Sequence, residues 1–338
     1  MALNRQAVGQ GATILGCAGL TLSPQEARFF QQADPWGFIL FARNVESPDQ
    51  LRALCADLRA AIGRDAPILI DQEGGRVQRL TPPTWRQYLP PLEQVQACGA
   101  HAARSMYLRS VLIADEMQAL GIDVNCAPTA DIAGPQTHPF LHNRCYGTDA
   151  QNVIKMGRAV VDGMAARGVM SVLKHIPGHG RATADSHLDL PHVTVDAQTL
   201  RETDFAPFKG LNDLPMAMTA HIVYEALDPE HCATQSKIMI ETIRDEIGFH
   251  GLLMTDDISM QALSGSLKHR AESSIKAGCD IVLHCNGKLA EMDAAVAGAG
   301  RLTAQAQARA DRVIASRPAP QAIDIPAVEA ELYALLNG

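Results

Sequence analysis

Residues 67–76 read Pro67-Ile68-Leu69-Ile70-Asp71-Gln72-Glu73-Gly74-Gly75-Arg76. Three branched aliphatic residues in a row leave no polar face, and the run then breaks into acids, glycines and a cation. A strand that is apolar on both faces belongs in a parallel sheet covered by helices. Seven more runs of this kind occur, at 13–18, 37–41, 122–127, 169–174, 216–221, 251–256 and 280–285. Helix-compatible stretches separate them. Ser47 and Pro48 suit the start of a helix over 50–62. A long helix is expected over 99–120, stopped by Gly121, and another over 236–247, stopped by Gly248. Eight strand–helix units in 338 residues predict an α/β protein built as a single (β/α)8 TIM-type barrel. A doubly wound open sheet is the alternative, but no G-x-G-x-x-G follows an early strand. No break in composition marks a second domain, so residues 1–338 are read as one catalytic domain. A proline-rich turn at 317–326 precedes a last helix at about 327–336. Residues 79–91 hold four prolines and are read as a surface loop after the third strand.

Composition narrows the function. Hydrophobic residues make up 47% and charged residues 20%, enough for a sizeable core. Lys and Arg number 29 against 37 Asp and Glu, and 29 − 37 gives −8. That balance excludes a duplex nucleic-acid binder, which needs a basic face. It also excludes disorder. No apolar run reaches the roughly 18 residues of a membrane-spanning helix. With aromatics at 4%, the core must be aliphatic. The eight cysteines form no C-x-x-C pair and sit mostly in apolar runs, so they are expected to be reduced and the chain cytoplasmic. Ile14-Leu15-Gly16-Cys17 matches a lipoprotein cleavage box, but the residues before it lack the apolar core of a signal peptide. The segment is read as the first strand.

In a parallel barrel the reactive groups gather at the C-terminal ends of the strands. Those ends carry Asp71 to Arg76, then Asn125 and Asp131, Lys174-His175, His221, Asp256-Asp257, and His284 with Asn286. Charges at apolar strand ends are costly unless paired or used. Ion pairs at the barrel mouth with no chemistry are the plain alternative. The fifth run opens into Lys174-His175-Ile176-Pro177-Gly178-His179-Gly180, a loop by its glycines and proline. Ala184-Asp185-Ser186-His187 follows. In extended backbone Asp185 and His187 share a side. A carboxylate beside an imidazole sets its tautomer and suits a general acid/base. Taken alone, a D-x-H reads first as a surface turn.

K-H-I-P-G-H-G followed by D-S-H resembles the signature of family 3 glycoside hydrolases of the β-N-acetylglucosaminidase type, including the cytoplasmic peptidoglycan-recycling members. The resemblance spans nearly the whole chain. It takes in D-Q-E-G-G-R-V-Q-R at 71–79, H-N-R-C-Y-G at 142–147, T-A-H-I at 219–222, L-D-P at 227–229 and G-L-L-M-T-D-D-I-S-M at 251–260. It implies that Asp256 is the nucleophile, His187 the general acid/base and Asp185 its partner. It implies sugar contacts for Asp71, Arg79, Arg144, Lys174 and His175. Strand alternation would turn Asp257 away from Asp256, and Asp257 is read as a helix N-cap. His179 is read as structural. Ile176 stands where the family often has Phe, and His231-Cys232 where a proline is common.

The implied reaction is retaining and two-step, through a covalent glycosyl-enzyme, on terminal β-linked N-acetylglucosamine of peptidoglycan fragments. Phosphorolysis at the same site is an alternative, because a neutral imidazole base would not repel an anionic acceptor. A metal-dependent barrel hydrolase is a second, although residues 16–18 offer no H-x-H. A catalytically inactive sugar-binding protein is a third. No cofactor and no metal are expected. The expected partner is a small carbohydrate, the chain is expected to be a monomer, and loop 178–187 is expected to close over the sugar.

Overall fold

The computed structural model describes residues 8–183 and 189–337. Each expected apolar run carries a strand: β1 Gly11–Gly16, β2 Pro35–Leu40, β3 Ile68–Ile70 and β4 Val124–Asn125. Next come β5, in two pieces at Met170–Ser171 and Leu173–Ile176, then β6 Met216–Thr219, β7 Leu252–Asp257 and β8 Ile281–His284. Every neighbouring pair is parallel, in chain order from β1 to β4 and from β6 to β8, with β8 returning to β1. Strand β5 closes the ring. Its first piece pairs with β4 and its second with β6. At the break, Val172 N–H reaches the carbonyls of Asn125 and Ala127, both at 3.0 Å.

The strands are apolar throughout because both their faces are covered. Ile14, Trp36, Leu69, Met216, Met254 and Leu283 belong to the cluster inside the ring. Their neighbours Leu15, Phe38, Ile70, Ala217 and Leu253 pack outward against helices. Those helices are α1 Pro24–Ala33, α2 Pro48–Ile62, α3 Ala102–Gln118, α4 Ala150–Ala166, α5 Leu267–Ala277, α6 Leu289–Ala299, α7 Ala304–Ala315 and α8 Ile325–Asn337. Ser47 caps α2 by accepting from Gln50 N–H, as its spacing predicts. Cys17 follows β1 directly and is buried. Its carbonyl accepts from the Arg43 and Asn44 side chains. All eight cysteines are free thiols.

Two expected helices need adjusting. The helix expected over 99–120 begins at Ala102, and Pro91–Cys98 forms a helix of its own, with Pro91 in the first turn where a missing N–H costs nothing. The helix expected over 236–247 is α-helical only over Lys237–Glu241 and continues as a π turn to Glu246. Residues 72–78 are a small antiparallel hairpin, Gln72–Gly74 with Val77–Gln78. Gln72 anchors it: its side-chain oxygen accepts Arg79 N–H and Leu80 N–H, and its backbone exchanges two bonds with the Asn125 side chain. Asn125 is therefore a brace. At the opposite end of the barrel, Arg317 spans Asp65 and Asp123 and fastens the segment leading to α8. Among the described residues no helix is long and apolar enough to cross a membrane.

Candidate active site

A cavity of about 300 Å³ opens at the C-terminal end of the barrel. Asp71 reaches it from the end of β3, Lys174 and His175 from β5, and Asp256 from β7. Arg79 comes from the strand-72–78 hairpin side and Arg144 from the connection between β4 and α4. Six of the expected site residues thus surround one space. The remaining two, Asp185 and His187, lie outside the described residues.

The polar wall is a chain of ion pairs. Lys174 Nζ lies 3.0 Å from Asp71 Oδ1 and 2.5 Å from Glu73 Oε1. Arg79 meets the other Asp71 oxygen at 3.0 Å. Arg144 grips Glu73 with Nε and Nη2, both at 2.9 Å. Nη2 is also 3.5 Å from His175 Nε2, and His175 Nδ1 is 2.7 Å from Asp131 Oδ2. Burial alone would raise the Asp71 carboxyl, but Lys174 and Arg79 outweigh it and hold it below its ordinary range. Glu73 is held at about 2 in the same way, by Arg144 and Lys174 against burial. Burial opposes the charge on Lys174, and Asp71 and Glu73 outweigh that, so its ammonium is stabilised. Asp71, Glu73 and Lys174 are therefore ionised at neutral pH.

The lining also has apolar members: Ile39, Phe41, Met218, Met260, Leu283 and Cys285. The guanidinium groups of Arg43 and Arg79 sit 5.0 and 5.4 Å from the centre of the Phe41 ring, within cation–π range. A ligand that carries both hydroxyls and C–H bonds matches this mixed lining.

Asp256 and Asp257 end β7, and both line the cavity. Asp257 N–H donates to Asp256 Oδ1 at 2.8 Å. The expected N-cap role for Asp257 fails. Its carboxylate accepts Ser259 N–H, Ser259 Oγ and Cys285 N–H. A turn follows, and α5 is capped by Ser266. His179, read as structural, also lines the cavity. Its ring packs edge-on against Phe140 and His175. Burial, reinforced by His175 and opposed by Asp131, pushes its imidazole down to about 4. It is neutral.

Two buried acids had no role in the sequence reading, Glu73 and Asp131. Glu73 had a signal: it is two residues past Asp71, and a period of two puts both on one side of extended chain. Asp131 had none beyond its place after β4. Among the described residues no three His, Cys, Asp or Glu side chains are arranged to hold a metal ion. The acids of the polar wall are already engaged by Lys174, Arg79, Arg144 and His175.

Residues 21–316 match the glycosyl hydrolase family 3 N-terminal domain. A β-hexosaminidase of Pseudomonas aeruginosa is 34% identical over 307 residues, covering 90% of this chain and 91% of that one. One from Alkalilimnicola ehrlichii is 36% identical over 282 residues, covering 82% and 81%. Among solved structures, NagZ of Neisseria gonorrhoeae in complex with N-trifluoroacetyl-D-glucosamine superposes with a TM-score of 0.86 at 28% identity, covering 98% of this chain and 99% of that one.

Proposed function

The chain belongs to glycosyl hydrolase family 3, and from that membership we propose that it is a retaining exo-β-N-acetylglucosaminidase. One observation carries the reading. The six described residues that match the family's nucleophile and sugar contacts come from separate strands and loops, yet they line a single cavity. At about 300 Å³ the cavity is at the small end of ligand pockets, the size for one sugar ring rather than a chain.

In this reading Asp71, Arg79, Arg144, Lys174 and His175 hold the ring through its hydroxyls and acetamido group. Asp256 attacks the anomeric carbon, the glycosidic bond breaks, and a glycosyl-Asp256 ester forms. His187, oriented by Asp185, gives its proton to the departing oxygen and then takes one from the water that cleaves the ester. The substrate is a peptidoglycan fragment with a terminal N-acetylglucosamine. The eight free cysteines, seven of them buried, suit a reducing compartment, and we place the protein in the cytoplasm, as one catalytic barrel acting as a monomer. It takes no cofactor.

Turnover of an aryl N-acetyl-β-D-glucosaminide, run beside the aryl β-D-glucoside, tests this. Strong preference for the first is expected, and equal rates would refute the assignment. Measuring the released sugar with and without phosphate separates hydrolysis from phosphorolysis. His187→Ala should lose most on substrates with poor leaving groups and least on activated aryl glycosides.

A further inference from the structure

Glu73 is among the most deeply placed charges at the cavity. Its side chain is 1% exposed, and it is not among the residues lining the cavity. It cannot touch a sugar. Yet it contacts two groups that do line the cavity. Arg144 presents one edge of its guanidinium to it, and Lys174 Nζ approaches Oε1 at 2.5 Å. A guanidinium engaged through Nε and Nη2 turns its Nη1 the other way. An ammonium has three donors, and Asp71 and Glu73 take two.

The backbone of Glu73 is itself held. Arg109, buried in α3, donates through Nη2 to the Glu73 carbonyl at 2.5 Å and through Nη1 to Gln94 Oε1 at 2.9 Å. Its guanidinium also lies over the Tyr88 ring, 5.6 Å from the centroid. The neighbouring Gly74 has φ +99, and a Cβ there would fall 1.9 Å from Arg109 Nη2. The hairpin therefore cannot shift along α3 without breaking this fork.

Resting on the glycosidase reading above, we infer that Glu73 is the positioning residue of the sugar pocket: it sets the free donors of Arg144 and Lys174 at a fixed spacing for the sugar, with Arg109 fixing its backbone. A neutral side chain cannot replace it. The amide of a glutamine offers one acceptor and one donor group, and the donor would face a guanidinium or an ammonium. One of the two cations would lose its partner and move. A shorter aspartate keeps the charge but cannot bridge both.

The two cations bind the sugar before and during reaction, so their displacement weakens both states alike and falls on KM rather than kcat. Glu73→Gln should raise KM for the aryl N-acetylglucosaminide, and Ki for free N-acetylglucosamine, by about 10- to 100-fold, the usual worth of charged hydrogen bonds. The kcat should change less than about threefold. Glu73→Asp should give a smaller rise of the same kind, and it keeps the charge that Arg144 and Lys174 need to fold correctly. A crystal structure of either variant should show Arg144 or Lys174 displaced. If both cations keep their places, or if KM and Ki stay within twofold of wild type, the inference is wrong. If instead the wild-type enzyme neither turns over the aryl N-acetylglucosaminide nor binds the free sugar, the glycosidase reading fails, and the positions of Arg144 and Lys174 in the variant still decide the role of Glu73.

Discussion

The Asp131 carboxylate stands 2.7 Å from Nδ1 of His175, and the same carboxylate accepts His179 N–H at 2.6 Å. One fully buried acid thus ties a ring that lines the cavity to the loop that follows it. A carboxylate can only accept, so Nδ1 carries a proton and Nε2 is the atom turned to Arg144 and the cavity. Asp131→Asn should disturb that choice, because an amide can present its donor end to Nδ1. The expected loss in kcat/KM is on the order of 10- to 100-fold. Kinetics on a well-folded variant checks this. An unchanged kcat/KM would mean that the ring keeps its place without the charge.

Acid should destabilise the protein through its buried histidines at a pH above that at which Asp71 and Glu73 titrate. His179 takes up its proton at about 4 in the folded state, against about 6.5 when unfolded. Between those values the unfolded chain binds the proton and the folded chain refuses it, so stability falls as pH drops from 6.5 towards 4. Burial depresses His221 and His284 in the same direction, and they act in the same window. Glu73 contributes only lower down, where its stabilisation disappears as pH falls from its ordinary range to about 2. Thermal unfolding between pH 4.5 and 6.5, with wild type and a His179 variant side by side, isolates the contribution of this histidine. His179→Gln should reduce the proton uptake on unfolding by roughly one. A slope identical to wild type would show that His179 protonates freely.

Gly180 should tolerate no side chain. A Cβ there would lie 2.0 Å from the Ile132 carbonyl oxygen, and its own carbonyl accepts from Thr137 Oγ1 at 2.5 Å. These contacts sew the loop after β5 to the loop after β4, one residue from His179. Gly180→Ala should cost about 1–3 kcal/mol of stability and lower kcat/KM more than tenfold by moving that loop. Gly134→Ala is the control, because its Cβ would meet only Thr137 Oγ1, at 3.6 Å. If the two variants behave alike in melting and kinetics, close approach is not why a glycine stands at 180.

The barrel was legible because each strand is buried on both faces, which leaves a run with no polar alternation to misplace. The site was legible where side chains must change character abruptly, as at Ile70-Asp71, Leu173-Lys174 and Thr255-Asp256. The supporting acids were not. Arg144 is 71 residues from Glu73, and Asp131 is 44 from His175. Pairings at that range leave no local spacing to read. Asp257 misled for another reason. An Asp before Ile258-Ser259-Met260 looks the same whether a helix or a turn follows, and its bond to Cys285 N–H exists only once β7 and β8 are side by side. The 79–91 segment concealed a helix start because prolines at a helix's first turn and prolines in a loop are the same residues.

Asp256 should be the residue that becomes glycosylated. It ends β7 at the cavity, and Asp257 N–H bonds to Oδ1, which orients the carboxylate. Asn at 256 keeps the shape and the acceptor oxygen of the side chain but removes its ability to attack. Loss of a nucleophile removes a covalent step, so kcat should fall on the order of 10³-fold or more. The sugar contacts of the polar wall remain, so Ki for N-acetylglucosamine should stay within about threefold. Asp257 is the only competing carboxylate one residue away, and its oxygens are spent on Ser259 and Cys285. Rapid acid quench of wild type with an activated substrate, followed by peptide mass spectrometry, distinguishes the two. A glycosyl adduct on Asp256 is expected. An adduct on Asp257, or Asp256→Asn with full activity, would move the nucleophile off this residue.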